Sequence, residues 1–249
     1  MKSKLIIFDL DGTLIDTLND IKHIFNYVLV QNGFEKKSKE FYKKNIGNGL
    51  ENLLKKCLPN NFNGDFNKLS NAVRDRYKSE LNSNTRIFDG IITVLEELKN
   101  NQVKMAVISN KLHLLALKSV KKYFDSYITE VIGAEGGFPR KPSPDSTLFM
   151  LKKFGCHPSN AFFVGDSTVD IKTAKMITRN NSNSKFIGVF VDEDSENIKK
   201  VIKEVELHGI QLHGNESNSF CQSFDIPVIK AIPLKPNINK SIFNSYNVS

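Results

Sequence analysis

Short, unbroken apolar runs separated by helix-length stretches constrain this chain more than any other feature. The runs are KLIIFDL, VKMAVISN, YITEVIGAE and NAFFVGDS, starting at Lys4, Val103, Tyr127 and Asn160. A strand with one wet face would alternate apolar and polar side chains. Continuous runs instead belong to strands buried on both faces, as in a parallel sheet. Between them, TRIFDGIITVLEELKNN reads as a turn and helix, and LHLLALKSVKKYF, DSTLFMLKKFG and TVDIKTAKMI read as helices. Strand alternating with helix predicts an α/β fold, a doubly wound parallel (Rossmann-like) sheet.

One block breaks the alternation. From Asp16 to Phe34 the apolar residues Ile21, Ile24, Phe25, Val28 and Leu29 keep helical period, and Gly33 supplies the stop. GLENLLKKCL and DFNKLSNAVRDRYKSEL follow, separated by the turn PNNFNG, and no strand is read in this stretch. An all-helical insertion after the first strand is expected to be a small cap over the carboxyl ends of the strands, where such sheets place their sites. The expected division is a core of residues 1–15 and 86–184, a helical cap of 16–85, and a tail of 185–249.

Bulk properties exclude several classes. Cys57, Cys156 and Cys221 lie far apart and are odd in number, which speaks against a disulfide framework or a zinc site and for a reducing cytoplasm. The formal charge of +8 comes from lysines scattered through helices, without a basic run, so no nucleic-acid partner is expected. No window reaches the ~18 uninterrupted apolar residues of a membrane helix. The N-terminal apolar run meets acids at once and has no small-residue cleavage site, so it reads as a buried strand and not a signal peptide. Oligomeric state leaves no mark in the sequence.

Polar groups stand where the strands stop. FDLDGTL places Asp9 and Asp11 at the first strand end, with Gly12 allowing a sharp turn. VISN places Ser109 and Asn110 at the second. RKPSP holds Lys141 among Pro139, Pro142 and Pro144, and FVGDSTVD supplies Asp166 and Asp170. Alone, each is a turn, cap or loop signal. At successive strand ends of one sheet they converge. Crowded carboxylates raise one another's pKa unless a hard cation neutralises them. Mg2+ suits them, taking oxygen ligands while keeping waters and phosphate oxygens in its shell. Ser109 and Lys141 can hold phosphate oxygens, one carboxylate can attack phosphorus, and its neighbour can move the leaving-group proton.

In this order, DLDGT, VISN, KPSPD and GDSTVD resemble the four motifs of the haloacid dehalogenase superfamily of phosphatases, over residues 1 to about 180. The resemblance implies that Asp9 is the nucleophile forming an aspartyl-phosphate and that Asp11 is general acid, then base. It implies phosphoryl binding by Gly12, Thr13, Ser109, Asn110 and Lys141, the last also steadying the aspartyl-phosphate. Magnesium would be held by Asp9, the Asp11 carbonyl and Asp166, with Asp170 supporting the shell. Asp11 favours phosphate esters, because the dehalogenases proper lack this second acid. IGNGLENLL and VISNK are similar to phosphoglycolate phosphatases, which makes a small phosphorylated metabolite the expected substrate and phosphoglycolate the foremost. Related caps serve pyrophosphate, sugar phosphates and phosphosugar mutases, and an inactive chimeric fusion is the remaining alternative.

The fourth motif is not followed by the family's usual ending. After the polar tract RNNSNS, the segments GVFV, SENIKKVIKEVELHG, IQLHGNE, SNSFCQSF and PVIKAI read as strand, helix, strand, helix, strand. Residues 185 to about 235 resemble the middle of phosphoribosylanthranilate isomerase, a (β/α)8 barrel, with GIQLHGNES and PVIKAI the most specific parts. Its catalytic-cysteine strand and glycine-rich phosphate loops have no counterpart here, and Cys221 falls in a helix, so isomerase activity is not expected. Three βα units cannot close such a barrel. FIGVFV is expected either to begin a separate tail or to add a fifth strand to the core sheet. Asp192, Glu193 and Asp194 are expected to serve the following helix N-terminus, with Asp194 or Ser195 as cap. The final stretch, IPLKPNINKSIFNSYNVS, reads as loosely ordered.

Overall fold

The structure is a computed structural model that describes residues 4–178 and 185–232. The chain divides into two compact units, Met1–Asn180 and Asn181–Ser249. The first contains strands β1 (Leu5–Phe8), β2 (Ile15–Asp16), β3 (Arg86–Ile87), β4 (Lys104–Leu112), β5 (Glu130–Ala134) and β6 (Ala161–Val164). Its helices are α1 (Leu18–Gln31), α2 (Lys39–Asn45), α3 (Leu50–Cys57), α4 (Phe66–Ser79), α5 (Ile91–Asn100), α6 (His113–Phe124), α7 (Asp145–Lys153) and α8 (Thr168–Thr178).

The sheet runs β5-β4-β1-β6 and every neighbouring pair is parallel. Leu5 and Ile7 face one side of β1 and Ile6 and Phe8 the other, and apolar clusters lie on both. One cluster sets Phe8, Met105 and Val107 against Leu95 of α5 and Ala116, Val120 and Phe124 of α6. The other sets Leu5, Ile7, Ala106 and Ile108 against Met150 and Leu151 of α7. The central strands β1 and β4 thus have the double-sided burial their runs predict, whereas β6, at the sheet edge, leaves Phe162 and Val164 62% and 41% exposed.

Helices α1 to α4 form the inserted cap. Their shared core includes Ile24, Phe25, Leu29, Tyr42, Leu54 and Val73. Short helices of this kind are held by packing and caps more than by propensity. Ser38 caps α2 through Phe41 N–H, and Asp65 caps α4 through Lys68 N–H. The two passages between cap and core carry no strand signal in the sequence. They pair with each other as the antiparallel ribbon β2–β3, Ile15 opposite Ile87 and Asp16 opposite Arg86. Beside it, buried Asp20 accepts from Asn84 N–H at 2.7 Å and from Thr85 Oγ1 at 2.5 Å, tying the start of the cap to its end.

The second unit has β7 (Ile187–Phe190), β8 (Gly209–Leu212) and β9 (Val228–Lys230), with α9 (Ser195–Val205) and α10 (Asn218–Cys221). These strands make their own parallel sheet in the order β7-β8-β9. The idea of FIGVFV as a fifth core strand is therefore corrected: β7 pairs along its whole length with β8, Ile187 opposite Gly209 through Phe190 opposite Leu212. Asp194 caps α9, accepting from Glu196 and Asn197 N–H at 3.0 and 2.9 Å. The motif residues of the tail satisfy one another. Lys230 Nζ, in a side chain 3% exposed, donates to Glu216 at 2.8 Å and to the Gly214 carbonyl at 2.6 Å. Cys221 lies in α10 and is buried. RNNSNS and the segment after Ile232 lie outside the described residues.

Candidate active site

Local backbone geometry brings the strand-end groups together. After β1 the chain turns tightly, with Leu14 N–H bonded to the Leu10 carbonyl and Gly12 N–H to that of Ile15. Gly12 has φ +92°, a conformation other residues adopt only at a cost. A Cβ there would lie 2.2 Å from Asp166 Oδ2, so the position also needs the missing side chain. In β4 the pairing with β5 shifts register between Ile108 and Leu112. Such an irregularity re-aims side chains that a regular pleat would alternate. Ser109, Asn110 and Lys111 consequently line one cavity together.

That cavity, about 640 Å³ with its open mouth, is also lined by Asp9, Asp11, Tyr77, Lys141 and Ser167. Cap residues Ile21, Phe25, Leu50 and Leu53 give it an apolar wall. The predicted groups Asp9, Asp11, Ser109, Asn110 and Lys141 therefore share one site. Lys141 Nζ donates to Asp9 Oδ1 at 2.8 Å and to Asp170 Oδ1 at 2.6 Å. Asp170, 3% exposed, also accepts from the Ser167 hydroxyl at 2.6 Å and its N–H at 3.1 Å. Asn110 Nδ2 spans the Gly47 and Lys141 carbonyls at 3.0 and 3.1 Å, so its amide joins cap loop to core loop. Thr13 Oγ1 donates to Asp166 Oδ1 at 3.1 Å, and thus Gly12 and Thr13 act on the Asp166 carboxylate.

Electrostatics single out Asp9. Burial pushes its carboxyl up to about 7; Lys141 opposes the rise, while Asp170 and Asp11 add to it. Asp166 is raised as well, chiefly because its carboxyl is partly withdrawn from water, although the residue keeps an exposed edge. Burial opposes the charge on Lys141, but Asp9 and Asp170 outweigh it and hold the ammonium above its usual range.

Asp9, Asp166 and Asp170 each offer a carboxylate oxygen, and these lie within 4.8 Å of one another. The donor set is all oxygen, which suits a hard divalent cation. Three carboxylates crowded at this spacing repel one another unless such a cation lies among them, so the cluster fits Mg2+. Asp170 stands in this cluster, whereas the Asp11 side chain turns elsewhere.

Sequence reasoning missed the contacts that Lys111 and Arg74 make. Lys111 Nζ lies 3.0 and 3.1 Å from the two Asp11 carboxylate oxygens and 2.9 Å from the Tyr77 hydroxyl. Arg74 of α4 reaches Glu51 of α3 at 2.7 Å and Glu135, beyond β5, at 2.9 Å, spanning cap and core. Lys111 adjoins a recognised motif, but its partners are remote in sequence.

Residues 6–189 match the model of the haloacid dehalogenase-like hydrolases, and residues 150–248 match that of N-(5'phosphoribosyl)anthranilate isomerase. The phosphoglycolate phosphatase of Aquifex aeolicus is 34% identical over 177 residues, which are 69% of this chain and 80% of that protein. Phosphoglycolate phosphatase 1 of Pseudomonas aeruginosa is 30% identical over 178 residues, and the chain spans 65% of its length, a little under two thirds. Among solved structures, a predicted phosphoglycolate phosphatase from Haemophilus somnus superposes with TM-score 0.66 at 26% identity, covering 76% of this chain and 86% of that one. A haloacid dehalogenase-like family hydrolase from Streptococcus pneumoniae gives 0.67 at 20% identity, covering 86% and 94%, a likeness of fold. Among the described residues no helix is long and apolar enough to cross a membrane.

Proposed function

Because the chain belongs to the haloacid dehalogenase-like hydrolase family over residues 6–189, we propose that it is a magnesium-dependent phosphatase of a small phosphorylated metabolite, phosphoglycolate foremost. The observation that carries this reading is the buried Lys141 ammonium held between Asp9 and Asp170 at the floor of a capped cavity. The names of the relatives in Aquifex and Pseudomonas support the choice of phosphoglycolate.

Asp9, Asp166 and the Asp11 carbonyl, with Asp170 behind them, would hold Mg2+. When bound, the ion supplies positive charge that keeps the carboxylates ionised and draws phosphate oxygens to them. The Ser109 hydroxyl and the Lys141 ammonium hold two phosphoryl oxygens by charge-assisted or neutral hydrogen bonds. A carboxylate oxygen of Asp9 attacks phosphorus, and the bond to the ester oxygen breaks. Asp11 gives its proton to that oxygen, releasing the alcohol. Asp11, now a carboxylate, takes a proton from water as the water attacks the aspartyl-phosphate. Inorganic phosphate leaves and Asp9 is restored. The apolar cap wall keeps bulk water from the first step.

Hydrolysis of a phosphate-ester panel with and without Mg2+, for the parent and Asp9→Asn, tests the reading. The parent should require the ion and favour phosphoglycolate, and the variant should be inactive. Equal turnover by both proteins removes Asp9 as nucleophile. A higher kcat/KM for another ester overturns the substrate alone.

A further inference from the structure

Lys111 has no role in the chemistry above, yet its side chain is only 3% exposed and sits in the cavity wall. An ammonium has three N–H donors. Here its contacts are both Asp11 carboxylate oxygens, at 3.0 and 3.1 Å, and the Tyr77 hydroxyl, at 2.9 Å. Its donors are therefore committed, and the group is not free to bind phosphate in this arrangement. Asp11 and Lys111 belong to the core, whereas Tyr77 is contributed by cap helix α4 and is itself buried. The cation also lies 4.7 Å from the Tyr77 ring centroid, so hydroxyl and ring face it together.

We infer that Lys111 is a positioning residue that fixes the Asp11 carboxyl group, and that Tyr77 makes this fixation depend on the cap lying over the core. The inference rests on the reading of Asp11 as the acid that protonates the leaving group. A carboxyl group on a tight turn can rotate about its side-chain bonds, and proton transfer needs it within hydrogen-bond reach of the ester oxygen. Lys111, anchored on a sheet strand, grips both oxygens and so sets both the position and the plane of the group. Lifting α4 removes the hydroxyl and the ring from the ammonium, returns water to it and loosens the grip. The acid is then in place when substrate is enclosed and free when the site is open.

The test compares two esters of opposite demand. Phosphoglycolate has an alkoxide leaving group that needs a proton, and p-nitrophenyl phosphate has a phenolate that does not. General acid catalysis contributes on the order of 10²–10⁴-fold, so Lys111→Met should lower kcat for phosphoglycolate by about 10²-fold or more. Its effect on p-nitrophenyl phosphate should stay below about tenfold on the same grounds. Tyr77→Phe should show the same preference more weakly, and Lys111→Arg should restore part of the loss. In an Asp11→Asn background, Lys111→Met should cost nothing further, because the group it positions is gone. Equal losses on both esters, or additive losses with Asp11→Asn, overturn the positioning role. If Lys111→Met does not fold by circular dichroism, the ester comparison in Tyr77→Phe decides, since that change removes only a hydroxyl. A parent that hydrolyses neither ester overturns the phosphatase reading itself, which the variants cannot do.

Discussion

Nζ of Lys141 lies 2.8 Å from Oδ1 of Asp9, and the two side chains are 3% and 10% exposed. The expected nucleophile and the cation beside it are thus one buried pair, with Asp170 as a third member at 2.6 Å. Removing one partner of a buried ion pair leaves the other charge uncompensated, at about 3–5 kcal/mol. Lys141→Met should therefore lower the midpoint of denaturant unfolding as well as abolish turnover. Unchanged stability would mean that water or a cation already compensates the two carboxylates.

The pH dependence of the metal-free protein follows from Asp9. Its carboxyl is raised from 3.8 to about 7 by burial, so the folded state holds this proton more tightly than the unfolded chain. The stability this provides is fully present below 3.8 and is lost as pH rises through about 7. Asp166 is raised too and acts with the same sign. Thermal unfolding in a chelator should therefore show stability falling across this window. The increment on adding Mg2+ should grow over the same range, because the ion must displace the proton. Asp9→Asn should flatten most of both trends.

Gly12→Ala tests the tight turn. The position combines φ +92° with a would-be Cβ only 2.2 Å from Asp166 Oδ2. A left-handed conformation costs a non-glycine residue about 1–2 kcal/mol, and the collision must also displace the carboxylate. Calorimetric Mg2+ titration should show affinity reduced by about tenfold or more, in the range seen when residues supporting a metal ligand are lost. Wild-type affinity in this variant would show that Asp166 tolerates displacement.

The tail should respond separately. Lys230 and Glu216 are 3% and 4% exposed and bonded at 2.8 Å within the β7–β9 sheet unit. Lys230→Met should speed hydrogen exchange of the β8 and β9 amides, since removing one partner of a buried ion pair costs about 3–5 kcal/mol. Phosphoglycolate hydrolysis should stay close to the parent's. A parallel loss of hydrolysis would show that the second unit supports the first.

Much of the site was legible because it lies where continuous apolar runs stop. Asp9, Ser109, Lys141 and Asp166 are each marked by the end of a run or by flanking prolines; the first three line one cavity, and Asp166 joins Asp9 in the carboxylate cluster. Asp194 was legible for a local reason, as a helix cap sits next to the helix it serves. Lys111 was not, since its partner Asp11 is 100 residues away and no period links them. The β2–β3 ribbon was missed because two residues per strand carry no alternation. The separate tail sheet could not be told from a fifth core strand, because a buried parallel strand looks alike in either setting.

The ribbon has a mechanical consequence. Two independent tethers would let the cap drift, roll and tilt. Two crossings bonded to each other, Ile15 with Ile87 and Asp16 with Arg86, behave as a single leaf hinge with one easy axis. Sliding along that axis would break the pairing, so only swinging is cheap. On the inference drawn for Lys111, each closure should return the Tyr77 hydroxyl to the same point beside the ammonium. The joint is only four residues long and adjoins the Asp11 turn, where Ile15 bridges to Asp11 and its carbonyl accepts from Gly12 N–H.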